Sequence, residues 1–186
     1  MKLEEIVRLE AERSGIEYAA LMAFVSVETG GLGFDPETGK IIIQFEPAWF
    51  KKKSPYTPSG KWSLNGVERQ KAEWGAFDEV WMYNRVAAIE STSFGLGQIM
   101  GLHWQRLGYS SAGAMWDDAN KGIDRQVWQM VQFILTSKRL LAALQEKDWT
   151  SVAILYNGAK FREVAIKYNR TPYDVSMSQE YLKYAA

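Results

Sequence analysis

Glu28 is the residue whose position best suits acid–base chemistry. It ends an apolar stretch that predicts a buried helix over residues 17–29, and it shares a face with Phe24 and Val25. Burial and the negative end of the helix dipole both disfavour the charged carboxylate and raise its pKa. A carboxyl that is protonated near neutral pH can act as a general acid, as glycosidic bond cleavage requires. The alternative is a solvent-facing glutamate where the helix ends.

The rest of the composition removes several competing chemistries. The chain contains one histidine, His103, and no cysteine. A zinc site normally draws on several His or Cys ligands, so we expect no metal and no cofactor. A Cys–His nucleophile is impossible, and no G-x-S-x-G segment offers a serine nucleophile. Carboxylates remain the natural catalytic resource, and His103 is expected at a surface or half-buried helical position.

Two further segments carry groups suited to a polar ligand. Residues 90–101 read E-S-T-S-F-G-L-G-Q-I-M-G, in which the glycines allow close approach of the backbone and Ser93 and Gln98 can bond hydroxyl or N-acetyl groups. The alternative for this loop is a plain turn between helices. Tyr156 and Asn157 later add a ring face, a hydroxyl and an amide.

Charge and hydropathy limit the partners and the location. Lys plus Arg and Asp plus Glu both number 22, so the net charge is zero and a phosphate-binding surface for nucleic acid is not expected. Residues 18–27, the longest strongly apolar run, are too short to span a bilayer, so no stable membrane insertion is predicted. The N-terminus lacks the apolar segment of a signal peptide. We expect a monomer that reaches any extracytoplasmic substrate through another factor.

Helical periodicity dominates the elements that would position these groups. A first helix starts near Leu3 and ends near Gly15, and Gly30 and Gly31 end the second. Residues 41–45 predict a strand, half of a small hairpin, whereas residues 51–65 read as a surface loop. Asn65 is predicted to cap a helix that runs to about residue 85. The second half is predicted as helices near residues 123–134, 140–144, 149–156 and 161–168.

Three segments in this order resemble the motifs of the lysozyme-like superfamily, which includes goose-type lysozymes and lytic transglycosylases. They are V-S-V-E-T-G-G at residues 25–31, the glycine-rich segment at residues 90–101, and L-Y-N-G at residues 155–158. With I-I-Q-F-E at residues 42–46 and D-W-T-S-V-A at residues 148–153, the chain most resembles the N-acetylmuramidase domain family of phage endolysins. The resemblance covers almost the whole chain.

The resemblance implies one lysozyme-like domain over residues 1–186. It would be α+β and mainly α, with a small β-hairpin lobe and a helical lobe. The implied activity is hydrolysis of the β-1,4 bond between N-acetylmuramic acid and N-acetylglucosamine in peptidoglycan, by an endolysin. Glu28 is then the general acid and Glu46 the candidate second catalytic carboxylate. The implied substrate-binding residues are Ser93, Gly95, Gln98, Ile99, Tyr156 and Asn157.

Some features leave alternatives open. Thr29 and Phe94 replace the usual Ser and Trp, the segment after Gly158 lacks a common proline, and Pro47 follows Glu46 in place of a basic residue. Glu46 has a structural alternative, in which its buried carboxylate accepts backbone N–H groups or an arginine. Asp35, Glu37 and Glu90 are other candidates for the second carboxylate. A lytic transglycosylase acting through Glu28 alone, or a glycan-binding virion module, are the alternative functions.

Overall fold

The protein was analysed as a computed structural model that describes residues 1–54 and 69–185. The chain divides into two compact units. The helical unit comprises Met1–Gly31 and Met130–Ala186, and the sheet unit comprises Leu32–Gln129. The expectation of one domain over residues 1–186 stays a prediction.

Helices account for most of the described chain, as predicted, and a small sheet supplies the β part. The elements in chain order are α1 Leu3–Ser14, α2 Tyr18–Thr29, β1 Ile43–Phe45, α3 Pro47–Lys53, α4 Gln70–Trp81, α5 Arg85–Glu90, β2 Thr92–Phe94, β3 Ile99–Met100, a 3-10 turn Gly101–His103, α6 Ala112–Ala119, α7 Ile123–Leu135, α8 Lys138–Gln145, α9 Trp149–Tyr156, α10 Phe161–Lys167 and α11 Tyr173–Tyr184.

Helix α2 forms the centre of the helical unit, as its sequence predicts. Every residue from Ala19 to Val25 is buried, and α2 packs against α1 and α11. Each fully buried large apolar side chain, such as Phe24, contributes about 1.5–3 kcal/mol to the free energy of unfolding. The helix ends at Gly30, whose φ of 62° is left-handed and whose N–H donates to the Ser26 carbonyl at 3.0 Å. The glycine stop is therefore confirmed.

The sequence analysis does not predict helix α11, although the spacing of its large apolar and aromatic residues is helical. Pro172 precedes its first turn, and Tyr173, Asp174 and Met177 are buried. The helix packs against α2 and α9. Its first residue therefore lies among the elements that hold the two sequence motifs of this unit, V-E-T-G and Y-N-G.

The sheet unit contains a three-stranded antiparallel sheet in the order β1-β2-β3. The partner of β1 is β2, with Gln44 opposite Ser93, so the strand predicted at residues 41–45 is present as β1 but is not half of a hairpin. Locally, Phe34 and Ile41 form only an isolated bridge. The hairpin of the protein is β2–β3, and the glycine-rich segment is its turn, not a turn between helices.

Side chains of α4 satisfy the backbone of β1 on its other edge. Gln70 accepts from the Ile43 N–H at 2.9 Å and donates to the Ile43 carbonyl at 2.8 Å. The buried Glu73 accepts from the Phe45 N–H at 2.8 Å, and Trp74 donates to the Ile41 carbonyl at 3.2 Å. Unpaired buried backbone groups are costly, and these bonds satisfy the backbone groups of β1 that a neighbouring strand would otherwise pair with. They also fix the position of the C-terminal end of β1, which Glu46 directly follows.

Two predictions in the first half need correction. Residues 51–53 belong to α3, since Pro47 fits the first helical position and the following residues continue the helix. The helix expected up to about residue 85 is α4, which ends earlier, at Trp81. Asn84 then leaves the helical conformation, and its side chain accepts from the Ala87 N–H and caps a separate helix, α5. The predicted cap at Asn65, and the rest of the loop, lie outside the described residues.

Candidate active site

Glu28 lies in the last turn of α2 and is half-buried, as its position in the sequence predicts. The hydroxyl of Tyr173 donates a hydrogen bond to Glu28 Oε1. Burial raises the pKa of Glu28 to about 7, and the bond from Tyr173 opposes that rise because it favours the charged carboxylate. A substantial fraction of Glu28 is therefore protonated at neutral pH.

Tyr173 remains a neutral hydrogen-bond donor to Glu28. The residue is buried, and burial, followed by the nearby charge of Glu28, raises the pKa of its phenol well above 10. A neutral donor can stabilise the carboxylate that forms when Glu28 releases its proton. Tyr173 can thus stabilise the charged form of a carboxyl that is present in both charge states near neutral pH.

Tyr156 joins the same cluster through its ring. It packs against Phe24 with ring centroids 4.5 Å apart, against Phe133 at 5.3 Å, and parallel to Tyr173 at 6.5 Å. Phe24 precedes Glu28 by one helical turn, so both residues lie on the α2 face that meets the two tyrosines. Asn157 follows with an exposed side chain. The structure therefore brings the Glu28 and Tyr-Asn motifs together within the helical unit.

The glycine-rich turn is held by buried polar bonds. Gly95 and Gln98 both adopt left-handed φ values, 70° and 46°. The buried side chain of Gln126 accepts from the Leu96 N–H at 2.8 Å. Gln98 donates through its amide nitrogen to the Gly95 carbonyl at 2.8 Å and to the Ile42 carbonyl at 3.4 Å. Because this nitrogen ties the turn to β1, a sugar contact of Gln98 would use its side-chain oxygen.

Of the predicted ligand residues in this segment, Ser93 presents its side chain on the outer face of the sheet. Gln44, Ser93 and Met100 are cross-strand partners, so their side chains share this face. Ser93 is half-buried there, whereas Ile99 is only 4% exposed and contributes its side chain to the core. Gly95 is also buried. A role of Ile99 or Gly95 in substrate binding would therefore use backbone groups.

Glu46 directly follows β1 and is half-buried beside this face. The exposed Gln44 donates from its amide nitrogen to Glu46 Oε1 at 3.0 Å. Burial raises the pKa of Glu46, and the bond from Gln44 opposes the rise. The side chain forms no capping bond with the helix α3 that follows it. Within the described chain, the side-chain partner of Glu46 is therefore an amide, in place of the arginine or backbone N–H groups of the structural alternative.

The other carboxylate candidates have structural partners. Asp35 accepts from the backbone N–H groups of Glu37 and Thr38, as expected of a turn residue, and Glu37 is exposed. Glu90 pairs with Lys53 at 2.8 Å and accepts from the Trp104 indole at 2.9 Å. These bonds hold α3, α5 and the segment after β3 together.

His103 occupies the half-buried position that the sequence predicts, at the end of the 3-10 turn. Burial, aided by the charge of Arg106, lowers the pKa of His103 to about 4. The imidazole is therefore neutral at physiological pH.

Two contributors were not found from the sequence. Tyr173 is separated from Glu28 by 145 positions, and the signal that exists is a Pro172 start followed by Tyr173, Met177 and Tyr181 at helical spacing. Gln44 alternates with buried Ile43 and Phe45, which indicates an outward-facing strand residue. Neither signal predicts which carboxylate the residue contacts, because that contact depends on the tertiary fold.

Comparison with known proteins identifies the family and the fold of the chain. The family model for N-acetylmuramidases matches residues 17–185, so the chain belongs to the N-acetylmuramidase family and is a peptidoglycan-degrading enzyme. Among solved structures, the chain is similar to the crystal structure of the Burkholderia AP3 phage endolysin, with 29% identity and a TM-score of 0.79. The match covers 98% of this chain and 70% of that chain, and it confirms the lysozyme-like fold class. The comparison with curated proteins gives no match.

Within residues 1–54 and 69–185, no helix is long and apolar enough to cross a membrane.

Proposed function

We propose that this enzyme is an N-acetylmuramidase that hydrolyses the β-1,4 bond between N-acetylmuramic acid and N-acetylglucosamine, with Glu28 as general acid. The observation that carries the proposal is the environment of Glu28. Its half-buried carboxyl has a pKa raised to about 7 and a buried phenol as its hydrogen-bond partner. Raised carboxyl pKa values of this kind are typical of glycosidase proton donors.

The proposed reaction begins with proton transfer from Glu28 to the glycosidic oxygen. The bond between that oxygen and the anomeric carbon of muramic acid breaks, and positive charge develops on the muramic acid ring. Water then adds to the anomeric carbon and loses a proton, which leaves a reducing muramic acid end. The Tyr173 hydroxyl stabilises the Glu28 carboxylate between loss and recovery of its proton.

Glu46 is our candidate for the second catalytic carboxylate, and Ser93, Gly95, Gln98, Ile99, Tyr156 and Asn157 are the proposed substrate-binding residues. The hydrogen bond from Gln44 favours the charged form of Glu46, which a base or an electrostatic stabiliser requires. Support for Ser93 comes from its place beside Gln44 on the outer face of the sheet. Asn157 offers an exposed amide beside Tyr156.

The biological role we propose is that of an endolysin. Its support is the similarity in sequence and fold to the Burkholderia AP3 phage endolysin. The enzyme would be made in the host cytoplasm, reach the wall after release by another factor, and act on it as a monomer.

Mass spectrometry of digested, purified peptidoglycan tests the proposal. A reducing muramic acid end is expected, together with an increase in reducing sugar during digestion. An anhydro-muramic end would replace the hydrolase with a lytic transglycosylase, and a reducing glucosamine end would contradict muramidase specificity. Binding of peptidoglycan without any cleavage would support the binding-module alternative.

A further inference from the structure

An open groove of about 430 Å³ lies on the helical unit where α9 and α11 begin. Its lining includes Trp149 and Thr150 of α9, and Asp174, Ser178 and Gln179 of α11. The volume falls within the range of about 300–1,000 Å³ that is usual for small-ligand sites. The proposed mechanism uses none of these side chains.

The groove is distinct from the Glu28 cluster. Trp149 begins α9 and Tyr156 ends it, so the two residues are about 10 Å apart along the helix axis. On α11, Tyr173 contacts Glu28 and Asp174 lines the groove. Consecutive helical residues point about 100° apart, so α11 presents these neighbours in different directions.

The charged groups of the groove wall have partners within the protein: Asp174 and Lys147 form ion pairs, and Asp148 accepts from the Ser151 N–H at 3.1 Å. Asp174 forms an ion pair with Arg162 and accepts from the Thr150 hydroxyl at 3.2 Å. Lys147 pairs with Glu17 at 2.5 Å. A charged ligand would have to compete with these pairs, whereas a neutral polar ligand would not.

Neutral groups remain to bind such a ligand. The Ser178 hydroxyl and the Gln179 amide form no hydrogen bond with any residue of the described chain. The half-buried indole of Trp149 is braced by Tyr181, with ring centroids 5.2 Å apart. A fixed aromatic ring costs little conformational entropy on binding, and hydroxyl and amide groups match sugar hydroxyl and N-acetyl groups.

We propose that this groove is a second saccharide-binding site, which holds N-acetylated glycan strands without cleaving them. The choice of ligand rests on the proposed muramidase function, since it takes the substrate polymer as the source of the saccharide. A second attachment point raises the effective concentration of an insoluble polymer at the enzyme. Its benefit should therefore appear on whole sacculi and be absent on short soluble chains.

Binding can be measured with chitotetraose, a soluble oligomer of N-acetylglucosamine, added to the Glu28→Gln protein. In ¹H–¹⁵N NMR spectra, the Trp149 indole signal should shift on titration. The double variant Ser178→Ala/Gln179→Ala should weaken binding at the groove about tenfold, as loss of a hydrogen-bonding contact implies. Trp149→Ala, followed through the backbone amide signals of Ser178 and Gln179, should weaken it similarly through loss of a stacking contact. Leu182→Ala, which removes an exposed side chain of α11 outside the groove, is the matched control.

Activity gives the second arm, in the otherwise wild-type enzyme. The double variant, whose alanines suit a helix, should lose activity on sacculi severalfold and retain wild-type activity on soluble glycan chains. No shift at the Trp149 indole would overturn the proposal. Equal losses on both substrates would also overturn it, because they indicate a distal part of the catalytic cleft. If the wild type cleaves neither substrate, the muramidase proposal fails, while the NMR titration still reports on the groove.

Discussion

Glu28 and Glu46 are both half-buried carboxylates with raised pKa values, but their surroundings differ. Glu28 ends a buried helix, and its partner is the buried phenol of Tyr173, which Tyr156 flanks. Glu46 ends a short strand, and its partner is the amide of Gln44, which is exposed. A buried hydrogen-bond partner has few other conformations, whereas an exposed amide can leave the carboxylate and form a hydrogen bond with water instead. The comparison assigns the proton donor to the helical unit and a more adaptable carboxylate to the sheet unit.

The largest difference should appear in the two isosteric amide variants. Glu28→Gln removes the proton donor and should lower kcat on purified peptidoglycan by about 10²–10⁴-fold, the usual contribution of general acid catalysis. Circular dichroism should show an unchanged fold. Residual activity within tenfold of wild type would remove Glu28 from the mechanism.

Glu46→Gln should have a smaller effect, about 10–100-fold on kcat, because the adjacent Gln44 and solvent can partly replace an electrostatic stabiliser. The measurement is the same reducing-sugar assay. Gln44→Ala serves as its control, since it removes the partner and leaves the carboxylate. A loss equal to that of Glu28→Gln would show that the two carboxylates are equally essential and would break the comparison.

Tyr173→Phe should reduce activity about tenfold or less and should move the pH profile. In the wild type, activity requires protonated Glu28 and so falls as pH rises through about 7. The Tyr173 bond lowers the pKa of Glu28, so its loss raises that pKa and shifts this alkaline limb to higher pH. Tyr168→Phe, at the position that directly follows α10 in the same unit, should leave the limb in place. A limb that moves to lower pH in Tyr173→Phe would contradict the assigned role.

The same pKa shift affects stability. The pKa of Glu28 rises on folding from 4.5 to about 7, so the folded state is destabilised as pH rises between these values. Glu28→Gln removes this cost. Its Tm should exceed that of the wild type at pH 8, by about 2–4 °C for each kcal/mol, and the gain should vanish near pH 4. A gain that is independent of pH would indicate a packing effect instead.

Much of the helical unit follows from sequence, and less of the sheet unit does. The apolar run of α2 and its glycine stop carry their own local signals, so both the helix and the exceptional position of Glu28 could be predicted. The pairing of Gln44 with Ser93 joins positions 49 residues apart, and the bonds from α4 to β1 are equally non-local. A local sequence pattern does not encode such contacts, which is why the strand could be predicted from sequence and its partner strand could not.

The candidate site shows the same division. Glu28, Tyr156 and Asn157 were selected from motifs, and the structure brings Phe24, beside Glu28, into contact with Tyr156. Tyr173 lies in no such motif, and only the hydrogen bond from its hydroxyl to Glu28 in the structure identifies it as part of the site. Gln98 was selected as a ligand, yet its amide nitrogen also ties the glycine turn to β1.

A side-chain NMR titration of the glutamate carboxyl carbons tests the central claim most directly. Comparison of wild type with Glu28→Gln identifies the signal of Glu28. The account predicts that this signal titrates near pH 7 and moves to higher pH in Tyr173→Phe. Titration near 4.5, the ordinary value of a glutamate, would show that Glu28 is ionised at neutral pH and would contradict its role as the poised general acid.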